Sequence, residues 1–284
     1  MTLPLITINL FDMAFKHLER PDGRYSSVHQ KIAKKVAFVR DQNPYDGITV
    51  ITDHMLPHTS VQSTYKIGWL LETREVNEGT YNNFESFKDR YDFIMTHDQK
   101  LLDEYPDKTR FTIFGGTWIE EENYGVHPKT ENVSMIYSDK RNFTGHKLRH
   151  EIAEKVSGVE FYGGATPRPV FRKEMALVDY RYSIVIENSK TPNYFTEKLI
   201  DSLIVGTIPV YWGAPNIGDF FDVRGMIIIE DGSNIQEVVD SLNEEDYNSR
   251  MEYVRKNAEL ARQYAITEDW MYDNIFKELV ARSK

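Results

Sequence analysis

The stretch from Tyr182 to Gly213, YSIVIENSKTPNYFTEKLIDSLIVGTIPVYWG, constrains the fold more than any other part of the chain. An apolar run, a polar loop, an amphipathic stretch, a glycine and a second apolar run follow one another. That order predicts strand, loop, helix, turn and strand, which is one βαβ unit of a parallel sheet. Parallel sheets present ligand-binding edges at the carboxyl ends of their strands. Seven polar residues that packing does not require fall at that edge: Glu187, Asn188, Ser189, Tyr194, Thr196, Glu197 and Lys198. Thr196 is placed to cap the helix and Gly206 to stop it.

The rest of the chain alternates in the same way. LITINLF, GITVITD (Gly47 to Asp53), YKIGWLL (Tyr65 to Leu71), YDFIMTH (Tyr91 to His97) and RFTIFGG (Arg110 to Gly116) read as strands. SSVHQKIAKKVAFVRD has helical periodicity with a cap at Ser26 or Ser27, and Gln99 to Glu104 reads as a short helix. The polar stretch IEEENYGVHPKTE, Ile119 to Glu131, reads as a linker. A second series begins at Val133: strand VSMIYSD, a helix from about Gly145 to Val156, strand VEFYGG and a helix near Arg172 to Asp179. After the βαβ unit come strand GMIIIED (Gly225 to Asp231), helices over Ile235 to Leu242 and Glu244 to Tyr264, and an amphipathic terminal helix. The alternation predicts an α/β fold with parallel strands. By itself it allows two domains or one large open sheet.

The net charge of −10 argues against nucleic acid as a partner, since phosphate backbones need clustered cations. One local basic cluster stands out against that charge: Lys140, Arg141, His146, Lys147, Arg149 and His150. A solvated helix face is the bland reading; its place beside the βαβ unit favours an anion site. The chain has no Cys, which excludes disulfides and thiolate metal sites. MTLPLITINLFDMAFKHLER has neither the basic start of a signal peptide nor the length of an anchor, so a cytoplasmic protein with no membrane-spanning segment is expected. No metal is expected either. There is no Asp-x-Asp, Pro57 breaks any helix joining His54 to His58, and His146 with His150, read as surface residues, lack a third ligand. The sequons at Asn132 and Asn142 are read as chance. No strand ends in G-x-G-x-x-G, which disfavours a dehydrogenase.

The ordered set Ile186-Glu187-Asn188-Ser189, Tyr194-Phe195-Thr196-Glu197-Lys198, Ile208-Pro209 and Gly213 resembles the pattern of the α1,3/4-fucosyltransferase family. Ile186 stands where that family usually has Phe. The resemblance covers about Val133 to Phe221 well and the N-terminal half poorly. It implies GT-B architecture, two Rossmann-like domains facing a cleft. Residues 1–125 would form an acceptor-side domain and 126–264 a donor domain, with 265–284 a terminal helix crossing back to the first. It also implies a soluble microbial or viral member, GDP-fucose as donor, an inverting reaction and a glycan or polysaccharide acceptor. No cofactor would be required.

Residue by residue, the resemblance places Thr196, Glu197 and Lys198 at the nucleotide: Lys198 toward the phosphates, Glu197 toward ribose hydroxyls. As a first-turn acid, Glu197 also simply suits the helix dipole. Segment SDKRNFTGHKLR resembles a second donor block with Ser138 and Arg149; Arg141 is the rival, and an ordinary pairing of Arg149 with Glu151 or Glu154 is the alternative. Tyr194 is offered for stacking or hydrogen bonding to the nucleotide. Glu187 and Asn188 either fix their loop or touch the donor. The family's catalytic base maps by position onto Glu72, with Leu71 and Thr73 departing from its Gly-Glu-Asn context. Glu75 is the rival, a Glu75–Arg74 loop salt bridge is the bland alternative, and Asp53 and Asp98 are next in line. Two other readings keep the fold: a transferase using another sugar nucleotide, or a non-catalytic nucleotide-sugar or glycan binder.

Overall fold

The computed structural model describes residues 5–13, 17–21, 23–170 and 172–282. The chain divides into two compact units, residues 1–116 with 266–284, and residues 117–265.

The first unit holds a six-stranded sheet of β1 (Ile6–Phe11), β2 (Val36–Arg40), β3 (Tyr45–Thr52), β4 (Ser63–Leu70), β5 (Phe93–Thr96) and β6 (Thr109–Phe111). Their order is β2-β1-β3-β4-β5-β6, and every pairing is parallel. Strands covered on both faces become continuously apolar, and Ile67, Trp69 and Leu70 of β4 and Ile94 and Met95 of β5 are all buried. Strand order reverses between β1 and β3, whose carboxyl ends lead into Asp12 and Asp53, the switch point at which such sheets take ligands.

The helix expected across Ser26 to Asp41 does not form. Its second half is β2, whose Val36, Ala37 and Phe38 are buried beside β1. Its first half is a turn in which Ser27 Oγ accepts the Lys31 N–H at 3.0 Å. The backbone there is claimed by the C-terminal segment. Glu268 accepts the Val28 N–H at 2.9 Å, and Asp269 accepts those of Lys34 and Lys35 at 2.9 and 2.8 Å. Donors spent on distant carboxylates cannot close helical i→i−4 bonds. The same segment, helix Thr267–Met271, a π turn Tyr272–Phe276 and helix Lys277–Arg282, buries Met271 and Phe276 in this unit.

The second unit holds a five-stranded parallel sheet: β7 (Glu131–Ile136), β8 (Glu160–Tyr162), β9 (Tyr180–Ile186), β10 (Ile208–Trp212) and β11 (Ile227–Ile228). The order is β11-β10-β9-β7-β8. The βαβ unit expected over Tyr182 to Gly213 is β9, the helix Glu197–Ile204 and β10, with Tyr182 paired to Ile208 and Ile186 to Trp212. Val133, Tyr182, Ile184, Ile208 and Val210 centre its core. The helix Thr144–Lys155 joins β7 to β8. A short 3-10 turn, Lys173–Ala176, stands where a helix near Arg172 to Asp179 is expected. Here the order reverses between β7 and β9.

Candidate functional site

The loop after β9 is built around one buried carboxylate. Glu187 is fully buried; its Oε1 accepts the Thr196 N–H at 2.8 Å and its Oε2 the Thr196 hydroxyl at 2.7 Å. Thr196 Oγ1 in turn accepts from the Lys198 N–H at 3.4 Å and from Lys198 Nζ at 3.0 Å, and so caps the helix. Of the two roles open to Glu187, fixing the loop is the one its contacts fill. Burial raises its pKa, with Lys198 opposing that. Lys198 Nζ lies 3.7 Å from Glu187 and 3.1 Å from Glu197. Burial disfavours the ammonium, but those two carboxylates outweigh it and raise the Lys198 pKa. The lysine is therefore a fixed cation in the first turn of a helix, where backbone N–H groups also favour an anion.

Arg149 is a second fixed cation. It projects from the Thr144–Lys155 helix and is buried, with Nε and Nη2 donating to the Ile186 carbonyl at 3.0 and 2.6 Å and Nη2 to Asn188 Oδ1 at 3.0 Å. Burial pulls its pKa down, while Glu187 and Glu197 oppose the shift. The helix can bring it there because Gly145 lets the first turn touch the β9 loop: the Gly145 N–H donates to Asn188 O at 2.9 Å, and a Cβ would overlap the Glu187 carbonyl oxygen. Neither Glu151 nor Glu154 pairs with Arg149. The rival, Arg141, is exposed and lies 3.8 Å from Glu154.

These cations share a cavity of about 380 Å³ at the crevice between β7 and β9. Ser138, Arg149 and Lys198 line it, together with Gly163 and Gly164 after β8 and the β9 wall from Ile186 down to Ser183. Leu177, Pro169 and Val170 add apolar surface, and Lys173 and Asp201 add charge. The arrangement suits an anion attached to a flat or apolar group. Of the residues singled out from sequence, it brings together Ser138, Arg149 and Lys198, with Glu187, Asn188, Thr196 and Glu197 bonded to them or beside them. Tyr194 is fully buried, so its ring is not open for stacking. His146 and His150, expected on the surface, are buried; His150 Nε2 lies 3.2 Å from the Lys140 carbonyl and its ring packs on Tyr137.

Sequence reasoning missed Lys173, Asp201 and Gly145, whereas the glycine pair ending VEFYGG, Gly163 and Gly164, belongs to the second donor block that the resemblance suggests. Asp201 carries the one available signal: an acid on the buried stripe of the helix that starts at Glu197. Gly163 is needed because a Cβ there would overlap the Tyr137 carbonyl oxygen, and its φ is +112°.

In the first unit, Glu72 is half-buried just after β4. Its backbone is held from both sides, the N–H by Asp53 Oδ1 at 3.4 Å and the carbonyl by the Tyr81 hydroxyl at 2.8 Å. Asp53 also accepts the Leu71 N–H at 3.0 Å and occupies a left-handed conformation, φ +39°. Burial, then the charge of Glu72, raises its pKa to about 8. Asp98 is occupied: it caps the helix Gln99–Glu104 and takes both Nε and Nη2 of Arg74, at 2.7 and 2.9 Å. Arg74 thus pairs with Asp98, and Glu75 is exposed.

Known proteins resemble this chain in both sequence and fold. Residues 126–275 match the model described as glycosyltransferase family 10 (fucosyltransferase) C-term, more than half the chain. The chain is 33% identical over 175 residues to α-(1,3)-fucosyltransferase B of Drosophila melanogaster, covering 56% of this chain and 39% of that protein. It is 34% identical over 71 residues to α-(1,3)-fucosyltransferase FucT of Helicobacter pylori, covering 25% and 15%. It therefore spans well under half the length of these relatives. A crystal structure of α1,3-fucosyltransferase with GDP shares the fold at a TM-score of 0.53 and 15% identity, covering 92% of this chain and 90% of that one. The two parallel α/β units are those of a GT-B glycosyltransferase. No helix among the described residues is long and apolar enough to cross a membrane. The chain belongs to glycosyltransferase family 10, the fucosyltransferases.

Proposed function

We propose that this chain moves fucose from GDP-fucose to a hydroxyl of a glycan, with inversion at the anomeric carbon. The observation that carries the reading is the pair of fixed cations, Arg149 and Lys198, in one cavity at the β7/β9 crevice. A leaving diphosphate needs that charge, and a guanidinium and an ammonium supply it without a metal in this reading. Ser138 and the first-turn N–H groups add donors, and Glu197 takes ribose hydroxyls. The acceptor oxygen attacks the anomeric carbon, the bond from that carbon to the phosphate oxygen breaks, and GDP departs. Glu72 accepts the acceptor's proton as general base. Its backbone is clamped by Asp53 and Tyr81, and the next candidate, Asp98, is held by Arg74. Glu75, exposed in the following turn, is the rival.

The test is calorimetry with GDP, GDP-fucose and UDP, followed by transfer from labelled GDP-fucose to a glycan panel. GDP and GDP-fucose should bind more tightly than UDP. Glu72→Gln should keep donor binding and lose transfer by roughly 10²–10⁴-fold. Equal binding of GDP and UDP would refute the guanine assignment. Full activity in Glu72→Gln, with loss in Glu75→Gln, would move the base. Donor binding without transfer to any acceptor would favour a non-catalytic binder.

A further inference from the structure

One buried charge in the second unit has half its hydrogen-bonding capacity unused. Asp201 is 1% exposed, one turn beyond Lys198 on the helix Glu197–Ile204. Its Oδ1 accepts the Thr117 hydroxyl at 2.6 Å and the Trp118 N–H at 2.8 Å. Its Oδ2 is buried and has no hydrogen-bond partner among the described residues, yet Asp201 lines the cavity that holds Arg149 and Lys198. An unpaired buried carboxylate oxygen is costly to maintain, and a ligand donor would relieve it. Lys173 lines the same cavity, close enough for its charge to steady the carboxylate against the cost of burial.

The position decides what the ligand donor is. Three residues along a helix carry Asp201 about 4.5 Å further from the helix N-terminus than Lys198. It therefore lies beyond the phosphate cations, in a cavity that Leu177, Ser183 and Ile184 also wall. A flat heterocycle suits those walls. Guanine alone among the common bases offers two adjacent donors, N1–H and the 2-amino group, beside an acceptor, O6. We propose that Asp201 is a specificity residue for the donor's base: Oδ2 accepts the N1–H and 2-amino hydrogens of guanine, and Lys173 donates to O6. This rests on the reading of the chain as a GDP-sugar enzyme.

The substitution Asp201→Asn tests it by reversing polarity. The Thr117 hydroxyl and Trp118 N–H both need an acceptor, so they hold the amide oxygen where Oδ1 was and turn the NH₂ into the cavity. That NH₂ repels both guanine donors, whereas xanthine accepts from it through the carbonyl that replaces the 2-amino group and leaves only its N1–H opposed. Calorimetry would compare GDP, inosine diphosphate and xanthosine diphosphate on both proteins. The wild type should bind GDP about 10- to 100-fold more tightly than inosine diphosphate, which lacks only the 2-amino group. In Asp201→Asn, GDP should weaken by a similar factor and xanthosine diphosphate should gain. Equal wild-type affinity for GDP and inosine diphosphate would overturn the assignment, and this arm needs no variant to fold. So would a folded Asp201→Asn that binds GDP normally, or that weakens both diphosphates alike. Wild-type protein that binds no guanine nucleotide at millimolar concentration would instead sink the donor reading, and this inference with it.

Discussion

Replacing Arg149 by Ala should damage the fold as well as the anion site. The guanidinium makes two buried bonds to the Ile186 carbonyl and one part-buried bond to Asn188 Oδ1. Its loss strands the Ile186 carbonyl at the tip of β9 and frees the loop that Glu187 organises. Charged hydrogen bonds contribute about 1.5–3 kcal/mol, and an orphaned buried acceptor costs about 1–3 kcal/mol. Relief of the guanidinium's own burial offsets part of this, since burial is the main influence on that group. A net destabilisation of about 2–3 kcal/mol is expected, or a fall in melting temperature of roughly 4–12 °C for a domain of this size. Thermal unfolding followed by circular dichroism measures the first effect, and calorimetry with GDP below the variant's transition measures the second. Arg149→Lys should rescue neither fully, because an ammonium cannot span the Ile186 carbonyl and Asn188 as a planar fork does. An unchanged melting temperature in Arg149→Ala would refute the structural joint. A lowered melting temperature with wild-type GDP affinity would show that the joint is all Arg149 provides.

Gly145→Ala forces a Cβ into the Glu187 carbonyl and should cost about 1–3 kcal/mol by displacing the first helical turn from the β9 loop; chemical denaturation midpoints would show it. Lys129 donates through Nζ to the carbonyls of Val178 at 2.7 Å and Val205 at 3.0 Å, to the Thr207 hydroxyl at 2.9 Å and, at 3.4 Å, to the carbonyl of Leu177 in the cavity wall, so Lys129→Met should destabilise by about 2–4 kcal/mol, read as a lower urea midpoint. Asp53 gives a pH signature. Its folded pKa of about 8 lies above the unfolded value, so the folded state holds the extra proton and this group's contribution to stability declines as pH rises from about 4 to 8. Asp53→Asn should remove that decline: relative to wild type, its melting temperature should be higher at pH 8 than at pH 5, and parallel curves would refute the buried-acid assignment.

The βαβ unit was legible because local and tertiary signals agree there. Thr196 caps the helix and Gly206, at φ +71°, ends it, where the residue types alone place both. The segment Ser26 to Asp41 was illegible because they disagree. Its apolar spacing is helical, but Glu268 and Asp269, more than 230 positions away, take the N–H groups a helix would need. Nothing local records such a partner. The same limit applies to the site. Lys198 and Arg149 are visible as charges near a motif, whereas the burial of His146, His150 and Tyr194 depends on what packs over them. Asp201 is not legible as a site residue because an acid in the second turn of an amphipathic helix is ordinary until its neighbours Thr117 and Trp118 are known.

The charged residues of this motif act on one another before they act on any ligand. Glu187 spends both oxygens on Thr196, and Thr196 spends its hydroxyl between Glu187 and Lys198. Arg149 spends two nitrogens on Ile186 and Asn188. What these bonds achieve is rigidity: cations whose positions are set before an anion arrives need no reorganisation when charge develops on it. It follows that loss of activity on mutating Glu187 or Asn188 is no evidence of contact with substrate. Glu187→Gln illustrates the distinction. The amide oxygen can still accept the Thr196 N–H, but the amide nitrogen can no longer accept the Thr196 hydroxyl's proton or offset Lys198, so the cap loosens and the lysine shifts. Such a variant should lose GDP affinity together with melting temperature. A residue that only touches the ligand, as Asp201 Oδ2 does in our assignment, should lose affinity and keep the melting temperature.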